Sequence, residues 1–71
     1  MEIILSPKRI ATMLKRVRKE KGFSQLELAK RSRVAQGYIS ELEAGHEKNP
    51  GIETLRKLAK ALGVPVTELL G

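Results

Sequence analysis

Apolar residues recur along this chain at intervals of three and four, and clusters of turn formers separate one such stretch from the next. Ile10, Met13, Leu14 and Val17 share one helical face while lysines and arginines take the other. Ser6 followed by Pro7 reads as an N-cap with proline at the first helical position, so a first helix is expected from about Pro7 to Lys21. Gly22 ends it, and Phe23 is expected to pack into the core as the chain turns. Ahead of this helix, Met1 to Leu5 is extended in character.

Ser24 and Glu27 have the spacing of a capping box, in which the two side chains satisfy orphan amides, so a second helix should begin near Gln25. Leu26, Leu28 and Ala29 supply its apolar stripe. Ser32-Arg33 interrupts the periodicity, and Ile39 and Leu42 resume it in a third helix from Gln36 to Ala44, with Gly45 suited to a left-handed stop. Ala29 is small enough to let two helices cross steeply over a turn of a few residues. A loop from His46 to Gly51 ends in Asn49-Pro50-Gly51. In the fourth helix Ile52, Leu55, Leu58, Ala59 and Leu62 fall on one face and Glu53, Arg56, Lys57 and Lys60 on the other, with Gly63 as the stop. Pro65 opens a last helical turn through Leu70, where Val66, Leu69 and Leu70 are more apolar than a monomer's terminus requires. The expectation is an all-α, compact five-helix bundle with an extended arm over residues 1–7 and a helix-turn-helix domain over 8–71, its motif at about 25–44.

Charge sharpens this picture. The chain has 71 residues and a net charge of +6. Residues 1–40 hold ten Lys or Arg against Glu2, Glu20 and Glu27, for +7; residues 41–71 hold four basic and five acidic side chains, for −1. A positive half suits a polyanion, because neutralised phosphates release counterions and that release drives affinity.

Gln25, Glu27, Leu28, Ala29, Val34, Ile39, Leu42, Glu43 and Gly45, followed by Asn49-Pro50 and the stretch from Leu55 to Val64, resemble the XRE-like helix-turn-helix domains of the Cro and phage-repressor type. The resemblance covers roughly residues 10 to 70. It implies a bundle of the phage-repressor DNA-binding type, with helices two and three as the motif. It also implies a structural ion pair between Arg18 and Glu43, a place for Tyr38 near the DNA face, and backbone contacts from Lys48 and Asn49. Two positions depart from the family. Arg33 stands where the turn often has glycine at positive φ, and Ala35 where a capping serine or threonine is common.

With Ile39 and Leu42 inward, Gln36, Gly37, Ser40 and Glu41 face outward. Gln36 can bond adenine N6 and N7 together, Ser40 can meet a base or a phosphate, and Glu41 either accepts from a cytosine amine or, as a carboxylate that nearby phosphates repel unless it is paired, is more readily a solvated side chain. Gly37 either lets the helix approach the groove floor or is drift at a tolerated surface site. With Tyr38, whose hydroxyl suits a phosphate or whose ring a thymine methyl unless it packs on the loop after Gly45 instead, these are the candidate base-contacting residues. The candidate phosphate contacts are Ser24, Gln25, Arg33, Lys48 and Asn49, with Gln25 favoured by its place at a helix N-terminus and Ser24 expected to be occupied by capping. His46 reads as a solvated loop residue.

The function expected is a sequence-specific double-stranded DNA-binding transcriptional regulator, a repressor acting as a homodimer on a palindromic operator. Its dimer surface would be the Val66 to Leu70 terminus or the Met1 to Leu5 strand. The alternative is an antitoxin or restriction-modification controller-type protein acting largely through a protein partner. Seventy-one residues are expected to leave no room for a ligand-sensing domain, so no small-molecule ligand or cofactor is expected. Without cysteine and with a single histidine, no metal is expected either. One histidine and scattered glutamates supply no nucleophile, base and oxyanion donor together, so no enzyme is read here. Phe23 and Tyr38 are the only aromatics, too few for the stacking surface of an RNA binder. The longest apolar run, Ile3 to Leu5, is far short of the roughly 20 residues of a membrane span, and without a signal-peptide pattern a cytoplasmic location is expected.

Overall fold

The computed structural model describes residues 6–70. Five helices follow in order: α1 (Pro7–Glu20), α2 (Gln25–Ser32), α3 (Gln36–Glu43), α4 (Ile52–Leu62) and α5 (Thr67–Leu70). The all-helical, five-helix expectation holds; of the extended arm expected over residues 1–7, residues 1–5 lie outside the described residues, Ser6 is the extended N-cap of α1, and Pro7 already belongs to that helix because its fixed φ suits the first turn. Helices α1 and α3 end one residue earlier than the periodicity suggested, with Lys21 and Ala44 as their C-caps.

Local signals start and stop the helices as their chemistry requires. The Arg9 amide donates to Ser6 Oγ at 3.3 Å, and Pro7 occupies the first turn of α1, where its missing N–H costs nothing. The Glu27 amide donates to Ser24 Oγ at 3.0 Å, which is half of the expected capping box. The other half is not made, because the Glu27 carboxylate turns to Arg31 at 3.7 Å one helical turn on. At the far end of α4, Gly63 adopts φ 71°, which brings the Val64 amide back to the Ala59 carbonyl at 3.0 Å.

Ile10, Leu14, Leu28, Ile39, Leu42, Leu55, Leu58 and Leu69 are fully buried and form the centre of the core. Each contributes about 1.5–3 kcal/mol through loss of apolar surface to water. Helix α1 packs on α3 and α5, while α2 packs on α3 and α4. The motif helices α2 and α3 are thus gripped from both sides, and α3 keeps one face free.

Three apolar residues behave differently from the pattern. Leu26 is 49% exposed, since it lies two positions from buried Leu28 and so on the far side of a 3.6-residue helix. Ile52 is 41% exposed because it is the first residue of α4, one turn beyond Leu55 where the neighbouring helices close over the face. Leu69 is fully buried against this chain's own core, so part of the apolar excess at the C-terminal turn is spent on α1 and the core; Val66 and Leu70 are half-buried.

Candidate nucleic-acid interface

Helix α3 is anchored by Ile39 and Leu42 and presents Gln36, Gly37, Ser40 and Glu41 together on its opposite face, all exposed. Positions i, i+1, i+4 and i+5 share one side of a helix, so the spacing makes the surface. A Cβ at Gly37 would meet nothing within 4 Å, so internal packing does not demand glycine there. The Glu41 carboxylate stands 3.1 Å from His46 Nδ1, which ties the end of this face to the following loop. His46 is exposed as expected, yet it is engaged.

Tyr38 stands apart from those four. It is half-buried and packs against the core cluster. Burial and the nearby Glu47 charge push its phenol above the ordinary value, against the opposing pull of the Gly51 backbone. The ring is therefore associated with the loop between α3 and α4, as well as with the start of the reading helix.

The best-built part of the site lies behind this face. Arg18 Nε donates to Glu43 Oε2 at 2.6 Å and its terminal nitrogen to Oε1 at 2.9 Å, a bidentate clasp, while the third nitrogen donates to the Phe23 carbonyl at 2.7 Å. Both side chains are nearly buried, at 10% and 4% exposure. The bond to Glu43 raises the Arg18 pKa above its already high ordinary value, outweighing the opposing effect of burial. Gln25 Nε2 donates to the same Glu43 Oε1 at 3.2 Å. One carboxylate thus joins α1, the start of α2 and the end of α3.

That cluster changes the role of Gln25. Its side-chain amide is tethered to Glu43, and what remains for an anion is its backbone N–H, one of the amides a helix start leaves without an internal partner. Ser24 Oγ is occupied by the cap, as expected.

Arg33 takes the left-handed conformation the resemblance implied, with φ 61° and ψ 25°. Its amide donates to the Ala29 carbonyl at 2.9 Å and its side chain is exposed. Ala35 heads α3 without a side-chain cap. Ser32 does not stand out in the hydrophobic pattern, yet it is buried, and its Oγ accepts from the Val34 amide at 3.2 Å, so it ties the turn from within. A serine two residues before an amide in a turn was the available signal. Lys48 and Asn49 are exposed on the loop after α3, where the Asn49 amide donates to Glu47 Oε1 at 3.2 Å.

Among the described residues no group of three or more His, Cys, Asp or Glu could hold a metal ion, and no helix is long and apolar enough to cross a membrane. The helix-turn-helix family model HTH_3 matches residues 14–69. This chain belongs to the HTH_3 family. Among curated relatives it is 43% identical over 61 residues to the HTH-type transcriptional regulator SinR of Bacillus subtilis, covering 86% of this chain and 55% of SinR. It is 31% identical over 62 residues to the immunity repressor protein of Bacillus phage phi105, covering 87% of this chain and 42% of the repressor. The chain thus spans about half the length of these relatives. The crystal structure of SinR in complex with DNA superposes with a TM-score of 0.83 at 42% identity, over 87% of this chain and 98% of that one. The restriction-modification controller protein C.AhdI from Aeromonas hydrophila superposes with a TM-score of 0.84 at 32% identity, over 89% and 94% of the two chains.

Proposed function

We propose that this protein binds double-stranded DNA sequence-specifically and regulates transcription, acting as a repressor on a palindromic operator. The observation that carries the reading is the exposed α3 face of Gln36, Gly37, Ser40 and Glu41, held in place by the buried Arg18–Glu43 clasp and the half-buried Gln25 bonded to it. Gln36 and Ser40 read base edges in the major groove; the α2 N-terminus, Arg33, Lys48 and Asn49 seat the helix on flanking phosphates. A structure of SinR with DNA supports this reading, since it shares the fold at 42% identity. Dimerisation follows because one recognition helix reads too few base pairs for useful specificity, and two copies on a two-fold axis double the site.

Selection of binding sites from random DNA, followed by affinity measurements on the selected and a scrambled duplex at two salt concentrations, tests the proposal. The expected result is a two-fold symmetric site, preferred by at least a thousandfold and weakened steeply by salt. Affinity indifferent to both sequence and salt would rule it out.

A second reading has one observation in its favour. The likeness to C.AhdI covers 94% of that chain, so the shared fold accounts for nearly all of that restriction-modification controller's structure. In this reading the operator lies beside a restriction-modification gene pair, and mapping the selected site onto the native genome distinguishes the two.

A further inference from the structure

The C-terminal end of α2 and the outer side of α4 enclose an open cleft of about 670 Å³, lined by Arg31, Ser32, Arg33, Lys57, Lys60 and Ala61. Four of these six side chains are cations and none is an acid. Arg31 lies 4.5 Å over the Phe23 ring and 3.7 Å from exposed Glu27, so its guanidinium is oriented and its charge is offset by that carboxylate. Arg33, Lys57 and Lys60 are exposed and form no ion pair among the described residues.

Two helix C-termini meet near this cleft, and cations are favourable there. That accounts for only part of the charge. Each terminus carries about half a negative charge, so two of them offset about one of the four. With Glu27 beside Arg31 offsetting another, an excess of roughly two positive charges remains, concentrated on one concave surface. The cleft is also poorly suited to a single small ligand: it is open, and its one buried polar side chain, Ser32, already accepts the Val34 amide.

The position of Arg33 connects the cleft to the reading face. It sits in the turn between α2 and α3, three residues before Gln36, so the two are at most about 11 Å apart along the backbone. Each DNA strand carries a charge every 3.4 Å or so of helix axis, so a duplex contacted by Gln36 presents backbone phosphates on the same scale as the separation of Arg33 from Gln36.

We infer that the α2–α4 cleft is an additional DNA-backbone site, in which Arg33, Lys57 and Lys60 receive phosphates next to those seated by the helix-turn-helix motif. The inference rests on the DNA-binding reading and extends its footprint from the motif onto α4. Such contacts add affinity and salt dependence while reading no bases.

The test uses the double variant Lys57→Gln/Lys60→Gln in the full chain. Both positions are exposed on α4 and glutamine matches lysine in helix propensity, so the fold is retained, which circular dichroism checks. Binding to a selected duplex and to a scrambled one is measured from 50 to 200 mM salt. The slope of log affinity against log salt should shrink by about 0.9 for each phosphate that is no longer neutralised, nearly two in all, with the ratio between the two duplexes unchanged. Amide chemical shifts of Ser32, Arg33 and residues 57–61 should move when the scrambled duplex is added.

An unchanged slope in a variant whose parent binds normally overturns the cleft and leaves the DNA reading standing. So does movement of those amides with inorganic pyrophosphate but not with the duplex, which marks a free phosphate ligand instead. A parent chain whose duplex binding has no salt dependence overturns both.

Discussion

Arg18 on α1 clasps Glu43 on α3 through two bonds of 2.6 and 2.9 Å, across 25 positions of sequence. The same carboxylate holds Gln25 at 3.2 Å, so the orientation of the reading helix and the start of α2 depend on one buried charge. Removing Arg18 leaves that charge without its main partner. Arg18→Ala should cost about 3–5 kcal/mol of unfolding free energy, a large part of what a small domain possesses. The double variant Arg18→Met/Glu43→Leu should recover most of the loss and still bind DNA poorly, since Gln25 is no longer tethered. Urea unfolding followed by circular dichroism reads the first effect and duplex binding the second. A loss below about 1 kcal/mol for Arg18→Ala would show that the clasp is not structural.

Arg33 is the only residue besides glycine at positive φ among the described residues. Replacing it with glycine relieves a left-handed strain of about 1 kcal/mol but loosens the unfolded chain, so Arg33→Gly should gain about 0.5 kcal/mol. The same change deletes a cation beside the reading helix. Stability should rise while affinity for scrambled DNA falls, and equilibrium unfolding together with duplex titration separates the two effects.

Ala35 already has the extended backbone of a cap residue, with φ −58° and ψ 137°, but no oxygen to accept from the first turn of α3. Ala35→Ser should therefore stabilise the domain by about 1 kcal/mol without rearranging it. Thermal unfolding detects a gain of this size as an increase of several degrees in Tm.

Tyr38 holds its proton more tightly in the fold than in the unfolded chain, because burial and Glu47 disfavour the phenolate. A group with a raised folded pKa supports the fold fully below its unfolded value, near 10, and that support is lost as pH rises through the folded value. The difference in stability between the parent and Tyr38→Phe should therefore be flat up to about pH 9.5 and move against the parent above it. Unfolding midpoints at about pH 8, 9.5 and 11 reveal this; parallel curves throughout would contradict the assignment.

Gln36 and Lys48 should differ in kind. Gln36→Ala is expected to lose about 1–3 kcal/mol on the selected operator and almost nothing on scrambled DNA, since it removes a base contact. Lys48→Ala should weaken both duplexes equally and reduce the salt slope by about one unit. If both variants bound all duplexes uniformly more weakly, α3 would not be reading sequence.

The five helices and most of their ends were legible in the order of residues. Periodicity of three and four placed Ile10, Leu14, Ile39, Leu42, Leu55 and Leu58 in the core; Ser6-Pro7, Ser24 and Gly63 marked boundaries through short-range hydrogen bonds that any chain with those residues can make. The outward set on α3 was legible for the same reason, since its complement is the buried set. Leu26 and Ile52 were misplaced by that reasoning. Whether an apolar residue is covered depends on which neighbouring helix reaches it, and α2 and α4 leave both partly uncovered.

What the chain determined by itself is local: helix period, caps, the left-handed stops and the basic bias of its first forty residues, all of which act within a few positions along the backbone. Tertiary structure decided what needs distant segments to meet. Only packing of α1 on α3 buries Arg18 with Glu43, and only the approach of α2 to α3 diverts the Gln25 amide from solvent to that carboxylate. Only the contact of α2 with α4 gathers Arg31, Arg33, Lys57 and Lys60, separated by up to 29 positions, into one cleft. Charges are counted along a sequence, but they interact through space, and the helices set that spacing.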